Sequence, residues 1–364
     1  MSQLLARLNL ELANTTDPIK RAEIYARIGS YFARTGKFSE TRTIIGDLRQ
    51  QFGDGHSGQA TAWIMLTEGL LHLYEHLSPQ ALYRIKGSQL LGLAMKDASI
   101  IAIASAWKAH LEFETSNFDS MVKSLELAIA HSSALDHGAQ TRLGMVLTDS
   151  FLICGDRQWA QVWFLRSHEH AVKDGDQASI EALQYNRAAF IVARLRVERC
   201  SAEIGNDQLS VARIEIASAK NLQALTRIGA FTNLVHLCDA RLLILEQEYS
   251  RAIQALESIR GSAPFASYNF SQSFVDLELA FCLLKLGHLD EAISRFDSID
   301  WKSIESLDLD EQLIATWMLL CMCRIDGVFG IADEVVVQLE MLSRKYEEIV
   351  MQLLIALRPF HIAS

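Results

Sequence analysis

His72, Glu75 and His76 form a segment whose residue types and spacing match a catalytic pattern. In His72-Leu73-Tyr74-Glu75-His76 the histidines stand four apart, so a helix places both imidazoles on one face, where they could hold Zn with Glu75 as the base acting on a bound water. The chemistry would be metal-dependent hydrolysis at His72/His76. The match is short, however, and the segment runs into Ser78-Pro79 as the close of an ordinary helix, so this reading ranks last. His168 and His170 stand two apart, as do Cys321 and Cys323, and a helix turns the members of each pair to different faces. The sequence carries no GxxxxGK[ST] phosphate loop, no GxSxG elbow and no HExxH helix. With no nucleophile beside an identifiable base, the expectation is a protein that is not an enzyme and needs neither cofactor nor metal.

Composition narrows the partners. Half of the 364 residues are apolar and 21% are charged, which argues for a continuous buried core and against long disorder. The formal charge of -10 is spread along the chain, and Lys and Arg never gather into the basic stripe that releases phosphate counterions. Direct nucleic-acid binding is not expected; a basic partner, or one with apolar anchors, suits the surface better. The six cysteines lack CxxC spacing and sit inside apolar patterns, as small hydrophobes in a reducing compartment do. The opening Met1-Ser2-Gln3-Leu4-Leu5-Ala6-Arg7 lacks the form of a signal peptide, and no apolar run reaches the roughly 18 residues of a membrane span. A cytoplasmic location is the expectation.

The elements that would position any site repeat. A turn, a large apolar residue and a small residue opening a second helix recur at a period near forty, as in Gly36-Lys37-Phe38-Ser39-Glu40-Thr41 and Gly287-His288-Leu289-Asp290-Glu291-Ala292. The small slot falls at Thr41, Ala81, Met121 and Ala160, then at Ala212, Ala252, Ala292 and Ala332 after a longer gap. That gap reads as one long helix over about 177–204. Pro18, Pro79, Pro264 and Pro359 all fall where helices start or stop. A fixed period of this length means stacked helical hairpins, since no single unit can bury its apolar face alone. Eight hairpins result, with an N-terminal helix over about residues 2–13 and a C-terminal helix over about 344–357. The apolar stripe Ile349, Val350, Leu353, Leu354 and Leu357 must be covered, either by residues 332–342 folding back or by a second copy in a homodimer.

Tyr25, Ile28-Gly29, Phe38 and Thr41 resemble the tetratricopeptide repeat (TPR), which places an aromatic early, a Leu-Gly pair next, an aromatic after the turn and an Ala on the second helix. The period near forty exceeds the roughly 34 residues of the standard unit, and is closer to looser variants seen in helical sensor domains of bacterial regulators. The resemblance implies an all-α, right-handed α-solenoid of about eight TPR-like hairpins with terminal helices. Residues 1–175 would hold the N-terminal hairpins, and 176–364 the long helix and the C-terminal hairpins of the same continuous solenoid. It further implies a concave wall made by the first helix of each hairpin, presenting Arg27, Ser30 and Arg34 at one end and Arg241, Glu278, Phe281, Lys285 and Trp317 at the other. The leading expectation is a non-enzymatic protein- or peptide-binding scaffold or adaptor. A ligand- or peptide-sensing regulatory array is the first alternative.

Overall fold

Polar caps start the helices where the sequence supplies them. The computed structural model describes residues 2–52, 57–226, 232–260, 271–324 and 332–361. Asp17 accepts from the backbone N–H of Ile19 at 2.8 Å ahead of Pro18, and Asp97, Asn117, Asp156 and Asp176 each cap a helix in the same manner. Pro79 stands just before a helix and Pro359 lies in a terminal 3-10 turn, whereas Pro264 lies outside the described residues. Left-handed glycines at Gly36, Gly155, Gly175 and Gly287 close the hairpin turns.

Among the described residues the chain is all-α, with eighteen α-helices. An N-terminal helix α1 (Gln3–Asn14) precedes four hairpins: α2 (Pro18–Arg34) with α3 (Phe38–Phe52), α4 (Gly58–His76) with α5 (Gln80–Met95), α6 (Ala98–Glu114) with α7 (Phe118–His131), and α8 (His137–Cys154) with α9 (Arg157–Asp174). Three more follow: α10 (Gln177–Arg199) with α11 (Asn206–Thr226), α12 (Thr232–Leu245) with α13 (Tyr249–Ile259), and α14 (Gln272–Lys285) with α15 (Leu289–Asp297). A short α16 (Trp301–Glu305) leads to the last pair, α17 (Leu309–Cys323) and α18 (Ala332–Ala356). Within a pair the helices run antiparallel over a short turn. First helices also pack on first helices, α2 on α4, α6 on α8, α8 on α10, α10 on α12 and α14 on α17.

The small slot of each second helix marks where it crosses its partner. Thr41, Ala81, Met121, Ala160, Ala212, Ala252 and Ala292 are all at most 3% exposed; the side chain of Ala332 lies outside those described. Gly29 meets the second hairpin at its closest, since a Cβ there would lie 3.0 Å from Thr67 and 3.1 Å from Ile44. The long helix ends earlier than the sequence suggests, at Arg199, and the 23-residue α10 then turns through 200–205 into α11. The long gap is therefore one more hairpin with a longer first helix.

Both ends of the chain fold onto the middle. The Leu4 N–H donates to the Gly175 carbonyl at 3.1 Å, the Ser2 hydroxyl donates to the same oxygen at 3.4 Å, and Arg7 pairs with Asp174 at 2.5 Å. A side chain at Gly175 would collide with Gln3, and its φ of 71° lies in the left-handed region, so both space and backbone call for glycine. At the other end α18 is one unbroken helix of 25 residues, because no Gly or Pro interrupts 332–356. Residues 332–342 thus cannot fold back over the stripe, contrary to the sequence expectation. Leu353, Leu357 and Phe360 are at most 2% exposed and pack in one core with Phe151 and Trp163 of α8 and α9. The Trp163 indole N–H donates to the Phe360 carbonyl at 3.3 Å. Leu353 and Leu357 of the stripe are thus buried by their own chain.

Candidate ligand-binding cavity

The inward faces of α2, α4, α6 and α8 line a half-open cavity of about 390 Å³, to whose wall α1 and the turn between α9 and α10 also contribute. Arg27, Ser30 and Arg34, spaced i, i+3 and i+7 on one α2 face, all line it. Arg34 donates to Asp176 at 2.8 Å and to the Ser179 hydroxyl at 2.8 Å. Arg27 lies 3.8 Å from Asp174 and 4.0 Å from Glu23. The Ser30 hydroxyl sits 3.2 Å from that of Thr67. These three expected wall residues are therefore gathered in one place, with two of them already engaged by acids from the α9–α10 turn.

The far group is arranged differently. Glu278 is fully buried and accepts from Arg196 and, at 2.9 Å, from Arg241, which also reaches Glu311 at 3.0 Å. Such a cluster is stable only while each buried charge keeps its partner. Phe281 is 2% exposed and packs 5.3 Å from the half-buried ring of Trp317. Lys285 is exposed with its ammonium 5.2 Å from the Phe281 ring. Glu278 and Phe281 consequently lie in the interior, where a partner cannot touch them, and the expected aromatic end of the wall is core packing between α14 and α17.

The His72/His76 pair carries a different geometry from a metal site. Glu75 is held by Arg42 on α3 and lies 3.4 Å from His76. Among the described residues no group of three or more His, Cys, Asp or Glu is placed to hold a metal ion. His168 stacks on Phe164, while His170 contacts His137 at 3.0 Å. All six cysteines are free. Burial pushes the Cys154, Cys200 and Cys238 thiols up to about 12, which leaves them as unreactive apolar groups.

Sequence reasoning missed the most unusual residue of the cavity. Arg142 of α8 is 5% exposed, lines the cavity, and has no carboxylate within ion-pair distance among the described residues. Its guanidinium carbon lies 3.6 Å from the centre of the Trp107 ring, and one N–H meets the Met145 sulfur at 3.0 Å. Burial above all, with the Arg34 charge adding to it, pulls its pKa down. On the other side of Trp107, burial and the Arg142 charge together hold the His110 imidazole down to about 3, so it stays neutral. Trp63 and Trp107 are at most 5% exposed and form part of the cavity wall. A tryptophan seven residues before a repeat turn, with an arginine in the next first helix, is a signal that only the packing of α6 on α8 turns into a pair.

No protein-family model matches the sequence, and no curated protein matches it. No helix among the described residues is long and apolar enough to cross a membrane. The arrangement offers recognition by aromatic rings, guanidinium groups and hydroxyls around a half-open cavity.

Proposed function

We propose that this chain is a non-enzymatic binding protein built as a TPR-like, right-handed α-solenoid, and that its inner face takes a short peptide segment or a ligand of similar size. The observation that carries the reading is the narrowed inner face: α1 and the α9–α10 turn flank it and leave a half-open cavity of about 390 Å³. Sites for small ligands occupy about 300–1,000 Å³, whereas a folded partner needs about 800 Å² of open surface on each side. Of the adaptor and the ligand-sensing readings, the small size of the cavity favours the second. The pairing of first helices around the cavity, with Arg27, Ser30 and Arg34 on one face of α2, supports the same view.

The test is thermal unfolding of the whole chain with pools of tri- to pentapeptides and small polar and apolar metabolites, run beside a Ser30→Trp variant whose indole fills the cavity. Ligands that bind the native state raise its melting temperature by mass action. Stabilisation of the wild type but not of a folded Ser30→Trp chain is expected. Equal stabilisation of both, or none by any pool, would overturn the reading.

A further inference from the structure

We propose that the cavity receives the carboxylate of a ligand whose body is apolar or aromatic, and that the Arg142 guanidinium, laid against Trp107, is its receptor. The inference rests on the inner-face reading above and adds the chemistry of what is bound. Every other charge at the cavity has an internal partner. Glu23 takes Lys20 at 2.8 Å, Asp174 takes Arg7 and Arg27, Asp176 takes Arg34, and Asp136 accepts from the Ser133 N–H and hydroxyl at 2.7 Å. Among the described residues Arg142 alone of the lining cations lacks an acid, although it lies in the second turn of α8 and is only 5% exposed.

A buried, unpaired guanidinium is costly, and a structural role would ordinarily be met by a neutral side chain of similar volume. Its cost is offset when an anion reaches the guanidinium, which at 5% exposure has little water around it, so that a charge-assisted bidentate contact is strong. The Trp107 ring, 3.6 Å from the guanidinium carbon, and the Met145 sulfur hold the group in place at the cavity wall, and its remaining N–H groups suit a planar acceptor. Four carboxylates at the cavity, Glu23, Asp136, Asp174 and Asp176, disfavour a phosphate dianion and leave room for a single negative charge. Trp63, Ile103, Leu66 and Leu70 supply the apolar wall for the rest of the ligand.

A carboxylate on an apolar body is either the C-terminus of a peptide or a small hydrophobic acid, and calorimetric titration separates them. The probes are N-acetyl-leucyl-phenylalanine and 4-phenylbutyrate, each beside its neutral amide, with inorganic phosphate as a further arm. At least one acid should bind, with its amide about 10- to 100-fold weaker, the range a hydrogen-bonded charge supports. Binding of only the peptide acid points to a chain terminus, and of only phenylbutyrate to a free small acid; either supports the proposal. Arg142→Met should lose the preference for acid over amide and should melt, free of ligand, no lower than wild type, which a purely structural arginine would not allow. Arg142→Lys keeps the charge without the fork and should weaken acid binding about tenfold or more while folding normally. Acid and amide binding equally, phosphate binding in their place, or an Arg142→Met chain that still prefers the acid overturns the proposal. If amides bind and Ser30→Trp abolishes that binding, the inner-face reading stands while this inference falls. If nothing binds, both fall.

Discussion

Two glycines in the first hairpin should respond to the same substitution with opposite sign. At Gly29 a new Cβ would lie 3.0 Å from the Thr67 methyl and 3.1 Å from an Ile44 methyl, several tenths of an ångström inside ordinary contact. Both neighbours are buried, Thr67 in α4 and Ile44 in α3, so neither can swing into solvent. At Gly46, in the middle of α3, a Cβ meets nothing within 4 Å. Replacing a helical glycine by alanine gains about 0.5–1 kcal/mol from the unfolded chain's lost freedom, while overpacking a tight crossing costs about 1–3 kcal/mol. Gly46→Ala should therefore stabilise by about 0.5–1 kcal/mol. Gly29→Ala, with both effects acting, should destabilise by about 0.5–2 kcal/mol, and Gly29→Leu by more. Urea unfolding followed by circular dichroism reads the difference as a midpoint shift at unchanged slope. If Gly29→Ala is as stable as the parent, or the two alanines shift the midpoint in the same direction, the close crossing of α2 with α3 and α4 is not as described.

Two further outcomes follow from the buried groups. Leu357→Ala empties a site that is 0% exposed between α18 and the α8–α9 hairpin, and should cost about 2–5 kcal/mol; hydrogen exchange should speed up in 157–174 as well as in 345–361, and a change confined to the C-terminal residues would refute the described contact. Asp149 is 2% exposed, with one oxygen accepting from Asn186 at 2.8 Å and the other without a partner, and burial above all raises its pKa well above the usual 3.8. A carboxyl whose native pKa is raised contributes fully below its unfolded value and loses that contribution as pH rises towards the native one. Asp149→Asn should thus melt with wild type near pH 3.8 and increasingly above it towards pH 8; a gap that stays constant with pH would show that the charge is not the cause.

The helical class and the hairpin punctuation could be read from the chain because they rest on local facts. Asp17-Pro18, Gly36 and Gly287 act within a few residues of themselves, and the slot residues Thr41 to Ala292 repeat at one spacing because each solves the same crossing. Arg27, Ser30 and Arg34 were placed on one wall by the resemblance to the tetratricopeptide pattern, and all three line the cavity. What could not be read is what meets across large separations. Asp174 and Asp176 reach Arg7, Arg27 and Arg34 only because the α9–α10 turn packs against α1 and α2. Phe281 and Glu278 lie at positions where one step of helical rotation decides between wall and core, and the ion cluster with Arg196 and Arg241 tips them inward. The unpartnered state of Arg142 is a property of everything around it, so no pattern along the sequence could announce it. For the stripe after Arg344, the absence of Gly or Pro was the available sign that α18 would stay straight.

The anchoring of both chain ends to the α8–α10 region also bears on the order in which this molecule can assemble. In an open row of repeats each unit touches only its neighbours, so folding can begin anywhere and spread one unit at a time. Here the pair Trp163–Phe360 spans 197 residues and the pair Leu4–Gly175 spans 171. Contacts this remote slow folding, because loop closure is paid before they give anything back. The hairpins can form early from local contacts, but the cavity is completed only when Ser2, Leu4 and Arg7 dock on 174–175. The middle of the chain gains its last cover only when α18 arrives, so the ends act as latches on structure laid down between them.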